Sequence, residues 1–187
     1  PVTYAIGGGA TGASITSGAL PTGVTGSYSA GIFTISGMPT QSGTFNYTVT
    51  TAGPCNNVSL GGTITVNPSP AVNAISNASY CNGTAGAAIS FSSPTTGGTI
   101  SYSWTSSANV GFGTSGNTNI AAYPATNITN AVITATVTVT PHITNNAVTC
   151  DGTPVSFTVT VNPAPVVNAV SNLVYCANTP GAAINFS

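Results

Sequence analysis

The chain contains one histidine, His142, and one acidic residue, Asp151, and the two lie close together in the sequence. A histidine beside a carboxylate can act as the general base of a serine hydrolase when a serine hydroxyl is within hydrogen-bond reach. The sequence contains many serines but points to none of them as the third partner. Because a lone histidine and a lone acid in a threonine-rich chain are more often incidental, we predict no catalytic residue and no enzyme.

Four cysteines form the second group of residues that could do chemistry: Cys55, Cys81, Cys150 and Cys176. They contain no CxxC spacing, and His142 stands eight residues before Cys150, so the pattern does not indicate a zinc site. A calcium site needs several oxygen ligands, normally with more than one carboxylate, and Asp151 alone cannot supply them. We therefore predict no metal and no cofactor.

The regular placement of the cysteines predicts structural disulfides and an oxidising compartment. Cys55 and Cys150 are 95 residues apart, and so are Cys81 and Cys176. The favoured pairs are Cys81 with Cys150, and Cys176 with Cys55 of a following copy. An alternative stays open: if Cys81 lies in a turn at the opposite pole of its domain, it is too far from Cys150 and would crosslink neighbouring domains.

The elements that would position these residues are β-strands. Apolar and hydroxyl residues alternate at 45–50, 133–140 and 155–161, which gives each stretch one apolar and one hydroxyl face. Valine and threonine are stiff at χ1 and favour strands. Glycine and proline divide the chain into short pieces. This pattern predicts an all-β fold of antiparallel sandwiches.

Charge is almost absent from the composition. The chain has no lysine and no arginine, 1% of it is charged, and 41% is hydrophobic. Without cations it cannot neutralise phosphates, so nucleic acid is excluded as a partner. No apolar run reaches the length of a membrane helix, and we predict no membrane insertion. The hydrophobic share is enough to fill small cores.

An internal repeat sets the domain organisation. Residues 66–74 (VNPSPAVNA) return at 161–169 (VNPAPVVNA), and residues 86–92 return at 181–187, with a constant offset of 95. A fixed period of this size indicates an array of similar domains. The proline-containing segments indicate short, semi-rigid linkers. We therefore predict sandwiches in an elongated tandem array.

The repeat predicts three pieces. Residues 68–163 form a complete domain, residues 1–67 form a domain that lacks its first two strands, and residues 164–187 supply the first two strands of the next domain. We expect further copies of the chain as partners, head-to-tail, either covalently continuous or by strand complementation. Apolar side chains on both incomplete pieces should then be poorly covered within one chain, namely Tyr4, Phe45, Tyr47, Ile184 and Phe186.

Two sets of motifs resemble known repeats. Residues 20–24 (LPTGV), 33–40 (FTISGMPT) and 43–49 (GTFNYTV) look like the Ig-like repeat of bacterial surface proteins. Residues 80–84 (YCNGT), 102–104 (YSW) and 150–154 (CDGTP) resemble the PKD-like repeats of Bacteroidota. The alternation of both kinds is similar to the repetitive surface adhesins of that phylum, including gliding-motility adhesins. The resemblance implies a secreted, extracellular, cell-surface protein with Ig-like and PKD-like sandwiches.

The repeat and the resemblance together favour a structural function, the shaft of a cell-surface adhesin or filament, with any glycan ligand bound elsewhere in the full protein. One alternative is a carbohydrate-binding module of a secreted enzyme, which should show a row of exposed aromatic side chains. Trp104 could stack on a sugar in that case, but we expect it in a sandwich core. A second alternative is a filament subunit that donates a strand to its neighbour.

Overall fold

The computed structural model describes residues 1–54, 56–167, 169–170 and 172–184. These residues form fourteen β-strands, which confirms the all-β prediction. Within the described ranges there is no helix long and apolar enough to cross a membrane. The strands are β1 (Val2–Ala5), β2 (Gly12–Gly18), β3 (Val24–Ser29), β4 (Ile32–Gly37), β5 (Gly43–Ala52), β6 (Ser59–Val66), β7 (Ala78–Cys81), β8 (Ala85–Gly86), β9 (Thr99–Ser106), β10 (Ser115–Gly116), β11 (Tyr123–Pro124), β12 (Ile133–Asn145), β13 (Val148–Asp151) and β14 (Val155–Asn162).

The strands form four sheets among the described residues. Two three-stranded sheets have the orders β1-β4-β3 and β2-β5-β6 and are antiparallel throughout. A larger sheet has the order β10-β9-β12-β14-β7, with β13 also paired to β12, and a small sheet joins β11 to β8. The β14–β7 pair is parallel and places Val159 opposite Ala78 and Asn162 opposite Cys81.

The predicted alternation is visible in the burial of the strands. Ala135, Val137 and Val139 of β12 are fully buried, whereas the intervening threonines face outwards and are exposed or half-buried. Hydroxyls on the outer face bond to one another: Thr138 lies 2.9 Å from Ser156, oxygen to oxygen. One face of the strand therefore fills the core, and the other is solvated by hydroxyls instead of charges.

Contacts divide the chain into two compact units. The first comprises Pro1–Asn73, Phe91–Ser103 and Val139–Val155, and the second comprises Ala74–Ser90, Trp104–Thr138 and Ser156–Ser187. The division of the sequence into domains 1–67, 68–163 and 164–187 stays a prediction.

The first unit contains a small core of four buried side chains. Phe33, Ile35, Tyr47 and Val49 are all at most 4% exposed. The prediction that Tyr47 is poorly covered is therefore wrong. Its ring meets that of Tyr4 edge-on at a centroid distance of 6.4 Å, and the two hydroxyl oxygens are 2.7 Å apart. Tyr4 and Phe45 are half-buried.

The end of β12 from Val139 onwards and the whole of β13 also belong to the first unit. Strand β12 continues through Pro141 and His142 to Asn145, and β13 follows from Val148 to Asp151. The turn residues Asn146 and Ala147 have φ of 48° and 61°, as in the two-residue turns that match the twist of a hairpin. Pro141 is fully buried, and its carbonyl accepts a hydrogen bond of 2.9 Å from the Gly152 amide.

The core of the second unit is built around aromatic residues and β-branched residues. Trp104 is 6% exposed, which confirms its place in a core, and its indole N–H donates to the Thr118 carbonyl at 2.9 Å. Asn127 is 3% exposed, and its amide donates to the carbonyls of Ala131 and Val161 at 2.7 and 2.8 Å. These bonds satisfy a buried polar group that would otherwise be costly.

Several buried rings lie directly over glycines of a neighbouring strand. Tyr47 is paired with Gly62, Tyr123 with Gly86 and Trp104 with Gly116. A Cβ at any of these glycines would come within 2.7 Å of the ring opposite. The glycines are therefore needed for close packing of the rings against the backbone, as in strand pairs where an aromatic covers a glycine.

Candidate functional site

A serine, a histidine and the lone carboxylate meet in the first unit. Ser103 is on β9, His142 on β12 and Asp151 on β13, and the hairpin register places His142 directly opposite Asp151. The distance from His142 Nδ1 to Asp151 Oδ1 is 2.6 Å, and that from His142 Nε2 to Ser103 Oγ is 2.8 Å. His142 and Asp151 are therefore in direct contact, and the prediction that neither residue is catalytic stays a prediction.

The chemistry of the three groups determines which atom donates in each of these two hydrogen bonds. An ionised carboxylate can only accept, so the proton lies on His142 Nδ1. In the neutral imidazole Nε2 then accepts from the hydroxyl of Ser103. The same sequence of hydroxyl, imidazole and carboxylate activates the nucleophile in serine hydrolases.

The surroundings of the three side chains differ from those of a hydrolase centre. The Asp151 side chain is 68% exposed and that of His142 is 22% exposed. Five cavities in the described part of the chain are lined by other residues. Acyl transfer also needs donors for the developing oxyanion and a cleft that holds the substrate. What the arrangement provides is a row of hydrogen bonds that links three strands.

The sequence contains a pattern that predicts one of these two contacts, that of His142 with Asp151. Asn146-Ala147 between two hydroxyl-rich runs is compatible with a two-residue turn, and counting outwards from it places His142 opposite Asp151. For Ser103 no such signal exists, because the pairing of β9 is set by tertiary structure.

The described cysteines are free thiols, so the predicted Cys81–Cys150 disulfide is not present. The ladders explain this. Cys81 lies opposite Asn162 at the end of β14, whereas Cys150 lies opposite Ile143 in the hairpin. A disulfide needs Cα atoms about 4.4–6.8 Å apart. On the paired strand, each of these cysteines lies opposite a residue that is not a cysteine. Cys176 is exposed; Cys55, its predicted partner in a following copy, lies outside the described residues.

Among the described residues, no three histidine, cysteine or acidic side chains are grouped so that they could hold a metal ion. One aromatic side chain in the same ranges is exposed, Tyr175 at 46%. A row of exposed aromatics, the feature expected of a carbohydrate-binding module, does not occur in this part of the chain.

Three tyrosines have pKa values above the ordinary value of 10. Burial raises the pKa of Tyr123 to about 12. Burial, and then the hydrogen bond to the Tyr4 hydroxyl, raise the pKa of Tyr47 to about 12. Burial also raises the pKa of Tyr102. All three shifts have a packing cause, and none indicates a reactive phenol.

The repeat in the sequence is also a repeat in local structure. The Ala87 amide donates to the Tyr80 hydroxyl at 3.0 Å, and the Thr84 hydroxyl donates to the Cys81 carbonyl at 2.8 Å. At an offset of 95 residues, the Ala182 amide donates to the Tyr175 hydroxyl at 2.8 Å, and the Thr179 hydroxyl donates to the Cys176 carbonyl at 2.7 Å. The same turn is thus formed twice.

The two copies of this turn differ in what lies beside them. The first copy begins within β7, which pairs with β14. The described residues from 164 to 184 contain no strand, and Leu173, Val174 and Ile184 are 49%, 94% and 53% exposed. The exposure of Ile184 agrees with the expectation that the final segment is poorly covered; Phe186 lies outside the described residues.

No protein-family model matches the chain, and no curated protein matches it. Among solved structures, it is similar to human protocadherin-24 EC1-2, with 14% identity, 82% of each chain covered and a TM-score of 0.41. It is similar to the endo-fucoidan hydrolase MfFcnA4 of glycoside hydrolase family 107, with 17% identity and a TM-score of 0.35 over 87% of this chain and 25% of that one. It is also similar to the human desmocollin-1 ectodomain, with 10% identity and a TM-score of 0.32 over 89% of this chain and 36% of that one.

Proposed function

We propose that the chain is a non-catalytic structural repeat of a secreted cell-surface adhesin or extracellular filament, where it forms part of the shaft. The single observation that carries this proposal is the turn of residues 80–87, which recurs with the same hydrogen bonds at residues 175–182. A unit that repeats both in sequence and in local structure is the building block of an array.

Three further features support the proposal. The repeated segments 66–70 and 161–165 each contain two prolines, which stiffen a link between neighbouring domains. Hydroxyl side chains cover the outer faces of the strands. Such a surface is solvated by water and offers no charge to a partner of opposite charge, as expected for an exposed shaft. The Ig-like and PKD-like motifs resemble those of Bacteroidota surface adhesins. Rigidity in such a shaft would come from the linkers and cores, because the described cysteines are free thiols.

The proposal is tested with chains that carry one, two and three fused copies of the sequence. A shaft should lengthen by the same increment with each copy, measured as particle length in electron micrographs and as maximum dimension in small-angle X-ray scattering. A length that does not grow with copy number would contradict the proposal, because the copies would then fold back on one another.

One observation favours a second candidate function, hydrolysis of an activated ester: the contacts of Ser103, His142 and Asp151. Ser103 Oγ would attack the carbonyl carbon while its proton passes to His142 Nε2, and the alkoxide would leave with that proton. Water would then hydrolyse the acyl-serine by the same route. Asp151 would stabilise the imidazolium formed in each step.

Labelling with a fluorophosphonate, together with turnover of p-nitrophenyl acetate, separates the two candidates. Under the structural proposal, the native chain and a Ser103→Ala variant behave alike. Label on Ser103, with turnover lost in Ser103→Ala but kept in Ser101→Ala on the same strand, would favour the hydrolase.

A further inference from the structure

We propose that residues 173–176 of one copy of the chain add as a parallel strand to the free edge of β6 in a second copy, with Leu173 opposite Ile64 and Cys176 opposite Asn67. This inference rests on the proposed function, because it describes the contact by which separate copies would join into an array.

The register comes from a strand pair inside the chain. In the parallel β14–β7 ladder, Val159 to Asn162 lie opposite Ala78 to Cys81 in order. Subtracting 95 from the β14 residues gives Ile64 to Asn67, and adding 95 to the β7 residues gives Leu173 to Cys176. The sequence supports both shifts of 95 residues, because Val-Asn-Pro occurs at 66–68 and at 161–163, and Tyr-Cys occurs at 80–81 and at 175–176. The proposed contact is therefore the β14–β7 ladder rebuilt from the other two repeat segments.

An acceptor edge is present in the first unit. β6 is the last strand of the β2-β5-β6 sheet, and its described pairing is with β5 alone. An open edge exposes a row of backbone donors and acceptors to which another strand can add. The apolar face of β6 is also incompletely covered: Ile64 and Val66 are half-buried, whereas Val159 and Val161 of β14 are 0% exposed.

The donor segment is prepared for the same role. Its side chains at the two inward positions, Leu173 and Tyr175, are 49% and 46% exposed, whereas Tyr80 of the first copy is half-buried. The turn that follows it is already formed, with the Tyr175 hydroxyl accepting from Ala182 and the Cys176 carbonyl accepting from Thr179. Docking would therefore order few additional residues, which lowers the entropic cost of association.

The hydrogen bonds of Asn67 are compatible with docking. In the existing ladder, the Asn162 amide nitrogen donates to the Tyr80 carbonyl at 3.3 Å. The corresponding nitrogen of Asn67 donates to the Val148 carbonyl at 3.4 Å, and the carboxamide oxygen of Asn67 accepts from the Asn145 amide at 3.1 Å. A carboxamide nitrogen carries two hydrogens, so Asn67 can keep this bond and also donate to the Tyr175 carbonyl of the second copy.

The test uses two chains that each retain a single cysteine. The acceptor chain carries Asn67→Cys with all four native cysteines replaced by serine. The donor chain keeps native Cys176 and has the other three replaced. Adjacent strands are about 4.8 Å apart, within the distance that a disulfide spans. On mild oxidation of the mixed chains, we expect a covalent heterodimer in non-reducing electrophoresis, which the free peptide of residues 164–184 suppresses.

The matched control is an acceptor chain with Ser59→Cys at the far end of β6. We expect about tenfold less heterodimer with this control, the ratio that corresponds to about 1.4 kcal/mol of preference for the proposed register. Equal yields from the two acceptors, or an excess of donor–donor dimers, would overturn the proposal.

Three further chains complete the test. A chain with both Asn67→Cys and Cys176, oxidised at low concentration, should remain free of internal disulfide; a closed monomer would overturn the second copy as the occupant. If Asn67→Cys fails to fold, judged by circular dichroism, Thr65→Cys and Val174→Cys provide an independent pair in the same register. Lengthening of fused copies without crosslinking of separate copies would overturn docking alone and leave the proposed function standing.

Discussion

Strands β6 and β14 lead into the same Val-Asn-Pro sequence, but they are covered to different degrees. β14 has β7 beside it, and its residues Val159 and Val161 are 0% exposed. β6 has the same alternation, and its residues Ile64 and Val66 stay half-buried. The comparison shows that an alternating sequence selects which face turns inwards, whereas the neighbouring strands decide how completely that face is buried.

The largest difference in stability is expected when a charged residue replaces the valine at equivalent positions of the two strands, Val161 and Val66. Val161→Asp should unfold the second unit, because an unpaired buried carboxylate costs about 3–5 kcal/mol. Val66→Asp should cost much less, because water reaches that position. Thermal unfolding followed by circular dichroism measures both variants, with Thr160→Asp on the outer face as the control. Equal losses at 161 and 66 would show that the two strand ends are covered alike.

A smaller loss of stability is expected from Asn127→Ala. This substitution removes a side chain that is hydrogen-bonded to Val161 near the end of β14. The substitution leaves the carbonyls of Ala131 and Val161 without their donor, and we expect a loss of about 2–3 kcal/mol. Urea denaturation gives the value. Asn57→Ala, in the exposed segment before β6, serves as the control and should change stability by less than about 0.5 kcal/mol.

Alkaline pH tests whether the cores of the two units resemble each other. The pKa values of Tyr47 and Tyr123 are raised to about 12, whereas an unfolded tyrosine titrates near 10. The unfolded chain thus loses these protons first, so stability should be constant below pH 10, as far as the tyrosines are concerned, and fall as pH rises from 10 to 12. Phenolate absorbance follows the ionisation of the tyrosines directly. The change in stability is simpler to assign because the chain has no lysine to titrate in the same range.

In that titration, Tyr47→Phe and Tyr123→Phe should each remove one late-ionising phenol. If all seven tyrosines ionised together near pH 10, the packing described for Tyr47 and Tyr123 would be incorrect.

The smallest effect concerns the row of Ser103, His142 and Asp151. Since Asp151 is largely exposed, its coupling to His142 should be below about 1 kcal/mol. A double-mutant cycle with His142→Ala and Asp151→Ala, measured by denaturation, gives this energy. A coupling well above that value would show that the hairpin is held by this contact more firmly than its exposure indicates.

Local pattern predicted part of the fold. The Val/Thr alternation predicted β5, β12 and β14, because a period of two is a property of the strand itself. It did not predict that β12 runs on through Pro141, since proline usually ends a central strand. The buried Pro141 is tolerated here within a long hairpin strand. Its own carbonyl accepts a hydrogen bond from the Gly152 amide.

The candidate site was harder to predict for a related reason. His142 and Asp151 could be paired by counting from a two-residue turn, but Ser103 joins them through a strand that is distant in sequence. The Cys81–Cys150 disulfide was inferred from regular spacing, and spacing along the chain says nothing about which residues the ladders place opposite one another. The burial of Tyr47 was missed because its cover comes from Tyr4 and Gly62 on other strands.

The glycines beneath the buried rings have a consequence for how such repeats vary. A ring at Tyr47, Tyr123 or Trp104 and the glycine opposite it occupy one shared volume, so neither residue is free to change alone. Gly86→Val should be tolerated only together with a smaller residue at position 123, and the double variant should recover the stability that each single change loses. Across natural copies of the repeat, ring and glycine should be inherited as linked pairs, with compensating replacements appearing on both strands at once.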